Sequence, residues 1–388
     1  MSAETRSMGR RAFLGAAVAA GAVPAAIPTP GPAAAGVSLR EKFFGCIAGC
    51  HIGSSMGAVV EGWPYERIES TYGALDRLLP YGSRWKREAG TTEDGVERQK
   101  LMITAILEKQ DRVTAEDVRR IWVRDIRPEG IGMISEPFEA KLLAMAKAGI
   151  PACDIGRYCD YAGLNSFARA CHPIGLINAG DPAGAAADVF EVGQLYQTTN
   201  SRGLHWAAIT GVGIAAATGP GATVDSVLGA ILSGDSRFLP EAGVAREIER
   251  GLKHTASCRD FRELRKAFDS MYSGTGTPYA FSSANEVVTK AVCLFRMAKG
   301  NLRDTIVAAV NLGRDTDCVT AISAGFSGSL SGASSLPVDW IDQVDRATKV
   351  NPYTNSKRTL RETSDGLYEA FRTRLKKMSA YAAEMESA

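Results

Sequence analysis

Hydrophobic and polar positions repeat along this chain with the period of a helix, and no stretch alternates long enough to predict a strand. From Leu39 to Gly62, the residues Phe43, Ile47, Cys50, Ser54 and Gly57 recur at intervals of three and four, which predicts a first helix. A loop rich in Pro, Gly and Arg follows, from Trp63 to Gly90. Val96 to Leu107 reads as a second helix, and Thr114 opens a third, with Glu116 and Asp117 in its first turn. Further helices are predicted over Ser135–Lys147, Ser166–Ile177, Pro182–Gln197 and Leu204–Thr218, broken by Gly and Pro. The second half continues with Val224–Leu232, Pro240–Lys253, Asp260–Tyr272, Ala284–Lys299, Leu302–Asn311, Asp317–Ser331 and Val338–Val350. A charged amphipathic helix within residues 357–388 closes the chain. No linker, low-complexity block or repeat divides residues 36–388, so the pattern predicts an all-α fold in a single compact domain.

The 388 residues are 45% hydrophobic and 23% charged, with 40 Gly and only 7% aromatics, so small side chains dominate the apolar class. Small residues let helices approach closely, which agrees with a packed helical bundle. The first 35 residues hold Arg6, Arg10 and Arg11 against Glu4; without them the totals of 45 basic and 43 acidic residues become 42 and 42. Such a balance argues against a nucleic-acid surface or a polybasic membrane patch and favours a small molecule or a modified surface as partner. Met8-Gly9-Arg10-Arg11-Ala12-Phe13-Leu14, the short apolar run to Val23 and Ala33-Ala34-Ala35 have the anatomy of a cleavable twin-arginine export signal. Residues 1–35 are therefore expected to direct a periplasmic or secreted location, with no stable membrane anchor. The eight cysteines, at 46, 50, 153, 159, 171, 258, 293 and 318, form no CxxC pair and no Cys/His zinc pattern.

Two acidic segments carry the candidate chemistry. Asp315-Thr316-Asp317 follows Gly313, a residue suited to a helix C-cap, and opens the next helix. Two carboxylates at such a junction can both face one cavity and offer hard oxygen ligands to Mg²⁺ or Mn²⁺, or they can simply cap a helix. Thr92-Glu93-Asp94 stands in the same way before the Val96–Leu107 helix and allows the same two readings. Glu61 ends the apolar stretch Met56–Val60 and by itself reads as a solvated residue. His51, His172, His205 and His254 are scattered and pair with no nucleophile motif. Gly211-Val212-Gly213-Ile214-Ala215-Ala216 imitates a dinucleotide fingerprint, but no strand precedes it, and it reads as a closely packed helix.

Four stretches follow one another in order: Gly49–Gly57 with Glu61 beyond, Thr91-Thr92-Glu93-Asp94, Arg169 with Pro173–Pro182, and Ala309–Asp317 with the small-residue helix Ala321–Gly332 behind it. Taken together, they resemble the ADP-ribosylglycohydrolase family. The matches run from about residue 41 to 340. The resemblance implies an orthogonal all-α fold and a site for two metal ions, Mg²⁺ or Mn²⁺, held by Thr92, Glu93 and Asp94 on one side and by Asp315 and Asp317 on the other. It casts Glu61 as the catalytic acid–base group and places Asn165, Ser166 and Arg314 against the substrate. The activity it implies is hydrolysis of an N- or O-glycosidic bond to ADP-ribose or a related ribofuranoside. In that scheme the metals orient the 2- and 3-hydroxyls, and water attacks C1. The implied partner is a small-molecule or ADP-ribosylated substrate, with no nucleic acid.

This sequence also departs from the family pattern. Glu93 stands in place of the usual Asp, Ser54 in place of an Asp in the first helix, and Cys318 where a Thr commonly offers a hydroxyl. The stretch Asp160–Phe167, where a glycine-rich loop would cradle a diphosphate, has one glycine. Two rival readings follow: a secreted furanosidase or nucleoside-type hydrolase, and a non-catalytic member kept for binding or structure.

Overall fold

The structure, a computed structural model, describes residues 36–82, 87–126, 137–159, 162–198, 201–232, 242–272 and 282–388. The twin-arginine segment lies outside the described residues, as do Ser135 and Pro240, with which two expected helices begin, and Asp160 and Tyr161. Seventeen α-helices and no strand occur among the described residues, so the fold is all-α as expected. In chain order, α1 is Leu39–Gly57, α2 Tyr65–Tyr72, α3 Asp94–Lys109, α4 Ala115–Asp125, α5 Pro137–Lys147 and α6 Ala152–Ile155. The middle of the chain forms α7 His172–Ile177, α8 Pro182–Gly193, α9 Arg202–Thr218, α10 Val224–Leu232 and α11 Ala242–His254. The rest forms α12 Phe261–Met271, α13 Ala284–Met297, α14 Leu302–Val310, α15 Thr316–Ser331, α16 Val338–Val350 and α17 Leu360–Glu386.

At the centre lie α1 and α15. Every residue of α1 from Lys42 to Gly57 is buried, and so is every residue of α15 from Thr316 to Leu330. Both are mostly small or apolar on all faces, the pattern of a helix with no solvent side. They run antiparallel in a register of four: Gly45 faces Gly328, Gly49 faces Ala324, Gly53 faces Thr320, and Gly57 faces Asp317. A Cβ on Gly45 would stand 2.4 Å from the Gly328 carbonyl oxygen, and one on Gly328 would stand 2.0 Å from that of Gly45. The two backbones therefore touch directly, which only glycine permits there. At the other end, a Cβ on Gly57 would come within 2.6 Å of the Asp317 backbone. This contact sets the first helix against the acidic start of α15.

The surrounding helices lock that pair. Ser38 caps α1 by accepting from the Glu41 amide, and buried Lys42 donates to the Ala217 and Gly219 carbonyls at the C-terminal end of α9. Phe43 packs against Tyr368 and Phe371 of α17, with ring centroids 5.6 and 5.8 Å away. Thr359 and Glu362 form a capping box that starts α17, while the helix is exposed beyond Arg374.

Three expectations change. The first helix ends at Gly57, not Gly62, because the chain turns there and the Gly62 amide, with φ +76°, bonds to the Arg314 carbonyl. The stretch read as a loop from Trp63 to Gly90 contains α2, whose sole buried residue, Ile68, gives no periodicity to read. Residues 166–170 form turns, and the helix starts only at His172, with Pro173 at its first turn, where a missing N–H costs nothing. No helix among the described residues is long and apolar enough to cross a membrane.

Candidate metal centre

The N-terminal acidic segment is built as a helix start whose oxygens are all engaged. Glu93 is the N-cap of α3 in extended conformation, accepting from the Gly95 amide at 2.8 Å and the Val96 amide at 3.3 Å. Ser54, on α1, donates to the same carboxylate at 2.6 Å. Asp94 receives Arg98, one helical turn on, at 2.9 Å through one oxygen and Arg169 at 2.9 Å through the other. The Arg169 guanidinium then reaches Glu93 Oε2 at 3.1 Å. Thr92 turns away from these groups: its hydroxyl donates to Glu97 at 3.2 Å and accepts from Lys100 at 3.2 Å. Glu97 in turn accepts from Lys100, Thr354 and Asn355, which ties the loop between α16 and α17 to the back of α3.

The C-terminal acidic segment is built differently. Gly313 and Arg314 both adopt positive φ, +77° and +66°, so the chain reverses sharply into α15. Asp315 occupies the N-cap position but makes no side-chain cap bond. Its Oδ2 accepts from Asn165 Nδ2 at 2.7 Å, and Asp317 Oδ2 meets Arg169 at 3.3 Å. The remaining oxygens, Asp315 Oδ1 and Asp317 Oδ1, are buried and have no hydrogen-bond partner. Cys318 Sγ lies 3.5 Å from Asp317 Oδ2 and 3.1 Å from Arg169 Nη1. One ligand atom each of Asp315, Asp317 and Cys318 lie within 4.8 Å of one another. Such a donor set fits a divalent cation, because two buried carboxyl oxygens otherwise go unpaired.

The other candidate residues frame this corner. Backbone bonds from Gly62 to Arg314 and from Arg314 to Trp63, each 2.8 Å, hold the Glu61 turn against the start of α15. Glu61 itself is exposed, and its negative charge acts on Asp315. Ser166 is buried in the same turn as Asn165. Arg314 is gripped by Glu286 of α13 through bonds of 2.6 and 2.9 Å, which leaves its side chain 25% exposed.

Burial governs the electrostatics. It pushes the carboxyls of Glu93 and Asp317 well above their ordinary range and Asp315 up as well, while Arg169 pulls each of them down. Burial likewise raises the Cys318 thiol, again against Arg169. For Arg169 burial opposes the charge, but Asp94, Cys318, Glu93 and Asp317 more than restore it, so the guanidinium stays protonated.

Sequence reasoning missed the residues that join the two segments. His172 on α7 bridges them from behind: its Nδ1 faces Gln99 Nε2 of α3 at 3.1 Å, and its Nε2 faces the Ala321 carbonyl of α15 at 3.0 Å. The amide can only donate and the carbonyl only accept, which assigns a neutral ring protonated on Nε2. Burial pushes that imidazole down to about 4. Neither His172 nor the role of Arg169 carries a local signal, since their partners come from distant parts of the chain.

Comparison with known proteins places this geometry. The family profile described as ADP-ribosylglycohydrolase matches residues 35–376. An uncharacterized protein of Archaeoglobus fulgidus is 26% identical over 310 residues, covering 78% of this chain and 92% of its own. A solved structure described as an ADP-ribosylglycohydrolase-related protein complex superposes with a TM-score of 0.61 at 15% identity, over 86% of this chain and 98% of that one. That likeness establishes a shared fold.

Proposed function

Since the chain belongs to the ADP-ribosylglycohydrolase family, we propose that it is a divalent-cation-dependent hydrolase that cleaves the bond at C1 of ADP-ribose or a related ribofuranoside. One observation carries this reading. Among the described residues, four buried carboxylates, on Glu93, Asp94, Asp315 and Asp317, draw their close ion pairs from Arg98 and Arg169, and the partnerless oxygens fall on Asp315 and Asp317. Purely structural acids are normally paired. When bound there, a divalent cation supplies Lewis acidity towards the hydroxyls of a furanose and towards water. A second ion on the Thr92–Asp94 side would have to displace Arg169 from Glu93 and Asp94, so the support is for one position beside Asp315 and Asp317.

The chain's own groups do the rest. Asn165 holds Asp315 Oδ2, which leaves the partnerless Oδ1 as the oxygen offered to a cation. Glu61, exposed on its pinned turn, accepts the proton of the water that attacks C1; as the bond from C1 to the leaving group breaks, that proton passes to the leaving group. Arg314, steadied by Glu286, stands at the rim for the substrate.

A second substrate reading has its own support. The turn before Arg169 spends its backbone groups on protein: Asn165 N donates to Ser282, Gly163 O accepts from Ala284, and Ala162 O accepts from Gly203. The Asn165 amide is thus lost to a diphosphate, in a stretch with a single glycine, which favours a plain furanoside. Incubating the full chain with ADP-ribosyl-arginine and with ribo- and arabinofuranosides, with and without chelator, separates the two. Cleavage of none of them at any cation concentration would make this a non-catalytic member. We also propose that Arg10 and Arg11 direct twin-arginine export. Replacing both with Lys should hold the precursor in the cytoplasm, and unchanged export would refute it.

A further inference from the structure

We infer that the cation position at Asp315, Asp317 and Cys318 is a mixed oxygen–sulfur position, filled by a borderline divalent cation of the zinc, cobalt or ferrous class in preference to magnesium. The inference rests on the reading that this corner binds a cation at all, and it adds which chemistry that cation has.

Two independent features point to it. The first is the pair of buried, partnerless oxygens, Asp315 Oδ1 and Asp317 Oδ1, on side chains that are 2% and 1% exposed. The second is where Cys318 sits. Its sulfur shares a 4.8 Å neighbourhood with one oxygen of each aspartate, in the first turn of α15. Buried thiols elsewhere in the fold are engaged away from any carboxylate: Cys50 accepts from Gln99, and Cys171 donates to the carbonyls of Ala168 and Ala207. Magnesium takes oxygen ligands in a strict octahedron and gains little from sulfur, whereas zinc and cobalt bind thiolate strongly. A thiol among carboxylates thus shifts the site away from magnesium.

Coordination has a simple balance. The thiol releases its proton to solvent, its sulfur donates a lone pair to the cation, and no oxidant or reductant is consumed. Arg169 Nη1, already 3.1 Å from the sulfur, donates to the thiolate that results.

The test uses the full chain, stripped with chelator and titrated with Co²⁺, Zn²⁺, Mn²⁺ and Mg²⁺. Cys153 is exchanged for Ser throughout, because it is exposed and a free surface thiol is open to soft ions. Cobalt should produce a thiolate-to-metal charge-transfer band that Cys318→Ser abolishes. The same variant should weaken cobalt and zinc by at least about tenfold, since losing a group that merely orients a ligand already costs that much. Magnesium and manganese should hold or tighten. X-ray absorption of the zinc-loaded parent needs no change at 318 and should show a sulfur neighbour at about 2.3 Å. Only oxygen and nitrogen neighbours, or cobalt binding without the band, overturn the thiolate while leaving the cation reading intact. If no cation raises the melting temperature or binds, both fail together.

Discussion

Thr92-Glu93-Asp94 and Asp315-Thr316-Asp317 look alike in sequence, each an acidic segment opening a helix, yet they end in opposite conditions. Around Glu93 and Asp94, backbone amides, Ser54, Arg98 and Arg169 occupy the oxygens. Around Asp315 and Asp317, one oxygen of each is left over. A motif that caps a helix and a motif that offers ligands are thus separated by what the oxygens meet in space, not by their residues. Arg169 is the hinge of the difference, because it reaches Glu93, Asp94 and Asp317 and belongs to neither segment.

The strongest way to break this contrast is to remove Arg169. Arg169→Ala leaves three buried carboxylates without their shared cation, and stability should fall by about 3–5 kcal/mol in denaturant titrations. A loss under about 1 kcal/mol would mean that the acids do not depend on it.

The tie between the segments is tested with acid. Neutral His172 has its pKa pushed down to about 4, from an ordinary 6.5. The unfolded chain therefore takes up a proton that the folded chain refuses as pH falls below 6.5. Stability from this group is complete above 6.5 and is lost progressively towards pH 4, at up to about 1.4 kcal/mol per unit and about 3 kcal/mol in all. His172→Gln should show a shallower acid limb than wild type. Parallel limbs would show that His172 is not the bridge.

Asp317→Asn and Asp94→Asn sharpen the contrast directly. Binding to the folded chain alone stabilises it by about 2.7 kcal/mol at a hundredfold excess over Kd. Zinc or manganese should therefore raise the melting temperature of wild type and of Asp94→Asn, although the latter starts lower. Asp317→Asn should lose most of that rise. If both variants lose it equally, the segments are one ligand set and the distinction falls.

The smallest effect belongs to Ser54→Ala. It removes the 2.6 Å bond to Glu93 and should cost about 1–2 kcal/mol, with cation affinity unchanged. Altered affinity in calorimetric titration would show that the Glu93 side shapes the cation position.

Much of this architecture was legible in residue order, and the illegible part has a physical reason. Helices such as α1, α3 and α15 announce themselves through periodic small residues and acidic caps, which are local properties. α2 does not, because one buried Ile68 makes no pattern. Residues 166–170 carry enough apolar side chains to suggest a helix, but they form turns, and the helix begins only where Pro173 can sit in its first turn. Within the site, the acids and Asn165 could be named from motifs. The company they keep could not, since Arg169 meets Glu93 and Asp317 across 76 and 148 positions, and Glu97 meets Thr354 across 257.

The direct backbone contact of α1 with α15 makes the pair behave as a lever. Gly45 lies three helical turns, roughly 18 Å, from Gly57, where the same two helices meet beside Asp317. A side chain added at Gly45 acts as a wedge at the far end of a stiff arm, and the arm delivers the tilt to the acid pair. Inherited changes in this remote, chemically silent stretch therefore present as failures of the centre, and surveys of tolerated variation will find its glycines as constrained as the aspartates.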